Sequence, residues 1–203
     1  MKKLLLALLL VMMSILNGCL FSNNMQEKEN GTASTNIINS TSSTKEKNDE
    51  QNNKDILKKY NMEKSFILIK KQKFKLYTID DNGNILAIFD CALGKNIGQK
   101  EKEGDMKTPT GTFVIDEIID ASSWSHDFKD GKGEIAGAYG PWFISLDTSN
   151  LSKGAWGGIG IHGTHDPDSI GKRVSEGCIR LSNKDIQTLK SFAKIGMKVV
   201  IEE

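Results

Sequence analysis

The residue pattern predicts a mainly β domain carrying one or two packed helices. Short apolar or alternating runs recur between turn-forming residues, as six strand candidates: 66–69, 74–77, 85–93, 112–115, 142–146 and 158–161. Asp81-Asn82-Gly83-Asn84 supplies turn chemistry between two of them, so the first three runs read as a β-meander. Helical periodicity stands out in one place, after Ser182, and no internal repeat is visible.

Taken in order, Phe66-Ile67-Leu68-Ile69 is a continuous apolar run, suited to a strand buried on both faces. Phe74-Lys75-Leu76-Tyr77 alternates, as a half-buried strand does. Lys107-Thr108-Pro109-Thr110-Gly111 reads as a turn feeding the strand that starts at Thr112. The glycine-rich, polar stretch from Asp120 to Tyr139 reads as a long surface loop able to flank a site. Ser182 with Asp185 three residues on forms a capping box, and Ile186, Leu189, Phe192 and Ala193 then share one helical face. Gly196 ends that helix, and the chain from Met197 to Ile201 returns to a strand.

The first sixty residues have a different character. Lys2 and Lys3 precede an apolar run from Leu4 to Leu16, the pattern of a secretory signal peptide and too short for a spanning helix. Cys19 follows Leu16-Asn17-Gly18, which resembles a bacterial lipobox and implies cleavage before Cys19, removing a signal peptide of residues 1–18, with lipid attached to Cys19. Residues 19–60 are rich in Asn, Ser, Thr, Lys, Glu and Gln, with too little apolar surface to offset ordering entropy, and read as a tether. Ile56 and Leu57 fit a short helix leading into the folded domain, taken as 61–203. The expected location is therefore extracytoplasmic, lipid-anchored to a membrane.

Charge excludes one class of partner. Lys and Arg total 27 against 26 Asp and Glu, with no basic block beyond the signal, so nucleic-acid binding has no support. With Cys19 set aside, Cys91 and Cys178 remain; a nucleophilic Cys178 must stay free, and Cys91 then reads as a small buried residue in a strand.

A cysteine nucleophile needs a base and donors for a developing oxyanion. Ile161-His162-Gly163-Thr164 and Gly177-Cys178 both sit at the ends of strand-like segments, and Gly177 would let substrate approach with backbone amides free as an oxyanion hole. A papain-like order is excluded, because no histidine follows Cys178. His162, His165, Asp166, Asp168 and Cys178 carry zinc-ligating atoms, but no helix holds the histidines and Pro167 interrupts the run, which argues against a metal site. No metal or cofactor is expected. His126 and His165 read as loop residues able to touch substrate, and Trp124, Trp142 and Trp156 as core or loop anchors.

His162-Gly163-Thr164 followed by Ser175-x-Gly177-Cys178-Ile179-Arg180-Leu181 resembles the signature of the YkuD-type L,D-transpeptidases. The upstream Thr108-Pro109-Thr110-Gly111-Thr112-Phe113 and the earlier Gly94 fit the same family, in the same order. The resemblance implies a YkuD-like β-sandwich or barrel-type catalytic domain. It implies that Cys178 attacks the third residue of a peptidoglycan stem peptide, with His162 as base and the Gly163 carbonyl orienting it. Arg180 would meet substrate charge, Ser175 would shape the loop, and Thr164 would line the substrate or oxyanion region. D-alanine leaves, and a neighbouring stem's amine resolves the thioester into a 3→3 cross-link; with water as acceptor the outcome is an L,D-carboxypeptidase.

Glu176 departs from the family, many of whose members carry histidine there. Three roles are open to it: binding a cationic group of the stem or acceptor, pairing with Lys172, or pairing with Arg173. The alternative function is a catalytically silent lipoprotein that binds peptidoglycan. The sequence leaves the oligomeric state undetermined.

Overall fold

A computed structural model describes residues 54–203. The signal, lipidation and most of the tether expectations fall outside the described residues. The chain is helical over residues 54–60 (α1), at the end of the segment read as tether. Ile56, Leu57 and Tyr60 of α1 pack on a small cluster formed by Met62, Phe66, Leu68, Ile79 and Val200.

Twelve strands follow among the described residues. β1 (Phe66–Lys70), β2 (Lys75–Ile79) and β3 (Ile85–Asp90) form the expected antiparallel meander. Its second turn is held by Asp80, whose Oδ1 accepts the Asn82 and Asn84 amides at 2.9 and 2.8 Å. Then come β4 (Leu93–Gly94), β5 (Gly111–Asp120), β6 (Ser125–Asp127), β7 (Glu134–Ala136) and β8 (Trp142–Asp147). A one-turn helix α2 (Ser149–Ser152) leads to β9 (Gly160–His162), β10 (Arg173–Ser175) and β11 (Ile179–Arg180). Helix α3 (Asn183–Phe192) and β12 (Lys198–Glu202) complete the order.

Eight strands make one sheet in the order β11-β9-β8-β5-β12-β1-β2-β3. β12 lies between β1, parallel, and β5, antiparallel. The sheet curls far enough for its ends to meet: Ala92, just past β3, exchanges two backbone bonds with Arg180 of β11, at 2.8 and 2.9 Å. The fold is thus mainly β with few helices, as the sequence pattern predicts. The main core fills the inside of this curl with Ile67, Ile69, Leu76, Phe113, Ile144, Ile161 and Ile179, all nearly or fully buried. Helix α3 presses Ile186 and Leu189 into it. Its N-cap is the expected one, with Ser182 Oγ accepting the Asp185 amide at 3.1 Å.

Three expectations shift. The 120–139 stretch contains the β6–β7 hairpin rather than loop alone. Helix α3 stops at Phe192, with Ala193 already extended, and Gly196 (φ +86°) belongs to the turn before β12. The segment 107–110 runs extended instead of turning. Pro109 pushes the residue before it toward extended geometry, and Gln99 then grips Thr110 from both sides, its side chain donating to Thr110 O at 2.8 Å and accepting Thr110 N at 2.7 Å.

Candidate active site

A cleft of about 530 Å³ opens where β9 and β11 run side by side, and His162, Cys178 and Arg180 line it. The register explains the grouping. β9 and β11 are parallel, with Ile179 opposite Ile161 and Arg180 opposite His162. In-register neighbours share a face. Ile161 and Ile179 therefore enter the core while His162, Arg180 and, two residues back, Cys178 face the cleft.

His162 is buried and clamped. It lies opposite Phe143 of β8 and stacks on that ring at 11° with centroids 5.6 Å apart, while Tyr139 meets it edge-on at 4.9 Å. Gly160 makes the stack feasible, because a Cβ there would overlap the Phe143 ring. The Nδ1 of His162 lies 2.6 Å from the Gly163 carbonyl. A carbonyl only accepts, so Nδ1 carries the proton and Nε2 keeps its lone pair. Burial drives the imidazole pKa down from 6.5 to about 3, with nearby Arg180 adding to the fall and the Gly163 bond opposing it. The resting histidine is neutral and shaped as a base.

Cys178 reaches the cleft at the end of a tight loop. Its thiol donates to the Gly158 carbonyl at 3.3 Å. Burial raises the thiol pKa above 9.0, offset by a bond from the Gly160 amide and by the Arg180 charge. The site thus rests as a neutral thiol beside a neutral imidazole, without a preformed ion pair. Cys91 is free and fully buried, its thiol pushed up to about 12 by burial.

The loop before the nucleophile is built from hydroxyl bonds. Ser175 Oγ donates to Cys178 O at 2.6 Å and accepts the Gly177 amide at 3.1 Å. Thr108 Oγ1 donates to Gly177 O at 2.8 Å and accepts the Gly94 amide at 2.9 Å. Gly177 has φ +137°, and a Cβ on it would stand 2.8 Å from Lys107 O. The three motif pieces around Gly94, Thr108 and Gly177 are therefore one tie. Thr108→Val keeps the shape but orphans Gly177 O and Gly94 N. We expect it to lower unfolding stability by about 2 kcal/mol, read by denaturant titration, and to slow acylation as the loop loosens.

Two predicted roles are corrected. Gly177 does not offer a free amide, since its N–H is held by Ser175. The Cys178 amide is not engaged in any turn or loop bond. Thr164 is buried and turned inward: its amide donates to Asn183 Oδ1 at 2.8 Å and its hydroxyl bonds the Asp166 carbonyl at 3.2 Å. It positions the loop after His162 and does not line the cleft.

Arg180 is 5% exposed, and its Nε is buried without a partner. Its guanidinium lies 5.0 Å from the Phe128 ring centroid, and burial depresses its pKa. It forms no ion pair among the described residues, so it presents an unanswered positive charge to the cleft.

Glu176 pairs with neither Lys172 nor Arg173. Its Oε2 lies 3.0 Å from His126 Nε2, and the other ring nitrogen of His126 is 3.1 Å from Tyr139 Oη. His126, Phe128 and Tyr139 all belong to the stretch containing the β6–β7 hairpin, and all line the cleft. Trp124 packs on Tyr139 and Phe143 and reaches the same wall. His165 stacks near Phe128 at 5.1 Å. Trp142 and Trp156 lie under Lys190 and Lys100.

Sequence reading missed Tyr139, Phe143 and Asn183. Tyr139-Gly140-Pro141 did carry a signal, because a Cβ on Gly140 would strike Asn183 and Gly163.

The family model for the YkuD L,D-transpeptidase catalytic domain matches residues 64–201. Over 127 residues the chain is 32% identical to a Bacillus subtilis (strain 168) protein named as an L,D-transpeptidase, YkuD, covering 63% of this chain and 60% of that one. A second protein of that strain, YqjB, named likewise, is 30% identical over 139 residues, or 68% of this chain and 71% of its own. The structure of L,D-transpeptidase 3 from Mycobacterium tuberculosis with a faropenem-derived adduct shares the fold at TM-score 0.51 and 15% identity, covering 68% of this chain and 60% of that one. The chain thus spans 60% of the length of the first of these curated relatives.

Proposed function

Because the chain belongs to the YkuD family of L,D-transpeptidase catalytic domains, we propose that it is a cysteine-dependent acyltransferase that forms 3→3 cross-links between peptidoglycan stem peptides. One observation carries the reading: Cys178 and a neutral, Nδ1-anchored His162 face one cleft from adjacent strands, with an unpaired Arg180 beside them.

The chemistry follows from the resting protonation. Substrate entry turns the Cys178 S–H from Gly158 O toward His162 Nε2. As the sulfur attacks the carbonyl of the third stem residue, Nε2 takes the proton and Nδ1–H···O=C Gly163 spreads the new charge. The Cys178 amide faces the developing oxyanion. The imidazolium then protonates the departing D-alanine nitrogen, leaving a thioester on Cys178. Arg180 holds a carboxylate of the donor stem, charge-assisted by its dry setting. An amine of a second stem attacks the thioester, His162 takes its proton, and Cys178 leaves as thiol. Water in place of the amine makes the carboxypeptidase product.

The test is direct. Protein incubated with a purified disaccharide-tetrapeptide should gain, by intact mass, the acyl group of the stem without its D-alanine, and should release cross-linked dimer. Protein that binds sacculi but gains no such mass is the silent peptidoglycan binder instead.

A further inference from the structure

Glu176, Cys178 and Arg180 alternate along one stretch of chain, and all three line the cleft. Ile179, between the last two, is fully buried in the core, so its neighbours Cys178 and Arg180 project to the opposite side, and Glu176 reaches the same cleft from the bend before Cys178. The nucleophile therefore shares its cleft with a carboxylate two residues before it and a guanidinium two residues after it.

The carboxylate is held in place by the hairpin. His126 bonds Oε2 of Glu176, and Tyr139 bonds the far nitrogen of the same ring. A lone pair facing a carboxylate would repel it, so Nε2–H donates to Glu176. That bond fixes the carboxylate's direction. Oε1 has no partner among the described residues, and no Lys or Arg lies within ion-pair distance of the group. The Glu176 side chain is 38% exposed. Glu103 adds a second acid to the same cleft.

Resting on the transpeptidase reading, we propose that Glu176, oriented by His126 and Tyr139, is the docking point for the ammonium group of the acyl acceptor. Arg180 answers the anion of the donor, and Glu176 answers the cation that replaces the leaving group. The proton balance agrees. A thioester and a primary ammonium give an amide, a thiol and one free proton. Of the two protons leaving the nitrogen, one is shed to water at the open mouth of the cleft before attack. His162 takes the other and returns it to Cys178 sulfur. Glu176 gathers the ammonium beside the thioester and so favours transfer over hydrolysis.

The experiment uses the domain acylated by a disaccharide-tetrapeptide at pH 7, resolved by n-butylamine, a cation there, or by methoxyamine, which is neutral. Mass spectrometry reads the ratio of amine product to hydrolysed stem. Glu176→Gln keeps an oxygen for the His126 N–H, so the hairpin stays tied while the charge is lost. The n-butylamine ratio should fall about tenfold, the loss of roughly 1.4 kcal/mol of ion pairing, while the methoxyamine ratio holds; Glu176→Lys should lower the first ratio further. Equal losses for both acceptors, or no change in either, would overturn the assignment and reduce Glu176 to a tie for the hairpin. Wild-type protein that forms no acyl-enzyme removes the transpeptidase reading itself, an outcome visible before any acceptor is added.

Discussion

Cys178→Ala should leave a folded domain that forms no acyl-enzyme and turns over stem tetrapeptide about 10⁵-fold more slowly, since no other group in the cleft can hold the acyl chain. The fold should barely notice. Cys178 is partly exposed and its sulfur makes only weak bonds, to Gly158 O and from the Gly160 amide, so the stability change should stay within about 1 kcal/mol. Intact-mass measurement with the tetrapeptide decides the point: a stem adduct that persists in the variant sinks the nucleophile assignment. The companion Cys91→Ala separates chemistry from packing. Cys91 is fully buried in the core, so its truncation should cost stability while acylation survives.

His162→Gln should slow acylation about 10³-fold, the usual worth of a positioned base. The pH dependence is the sharper reading. A preformed thiolate–imidazolium pair would alkylate on a plateau through neutral pH. Here the imidazole stays neutral down to about pH 3 and the thiol is pushed above 9.0, so alkylation of the resting enzyme by iodoacetamide should climb steadily from pH 6 past pH 9. A plateau across that range would contradict the neutral pair. The same shifts set the acid and alkaline edges of stability. Below pH 6.5 the unfolded chain protonates this histidine and the folded one does not until about pH 3. Stability therefore falls as pH falls through that window, by up to about 1.4 kcal/mol per pH unit. At the other edge Cys91 stays protonated in the fold up to about 12, against 9.0 unfolded, so stability falls again as pH rises between them. His162→Gln should flatten the acid slope and leave the alkaline one, which thermal melts across pH can show.

Much of the domain was legible because it is written in local terms. The alternation in β2, the apolar run of β1 and the Ser182–Asp185 cap each specify their own element within a few residues. Cys178, His162, Arg180 and Ser175 were visible as a motif, and they do meet at one cleft or its supporting loop. What was not legible depends on register between distant strands. Phe143 reaches His162 only because β8 pairs antiparallel with β9 at that step. Glu176 meets His126 only because the β6–β7 hairpin lies beside the cleft, and no spacing within either segment announces it. Thr108 read as turn chemistry because its partners, Gly94 and Gly177, are far along the chain. The free amide was assigned one residue too early for a similar reason, since Ser175 claims the Gly177 N–H.

The place of β12 bears on when the site can exist at all. It follows every other element in sequence, yet it sits in the middle of the sheet, between β5 and β1. A chain emerging amino end first therefore holds two unjoined half-sheets with raw edges, one carrying the meander and the other carrying β9 and β11. Only when β12 slots between them can the curl close and bring Ala92 against Arg180. Such long-range pairing is slow, and a nascent chain would stay without a closed cleft until β12 has emerged.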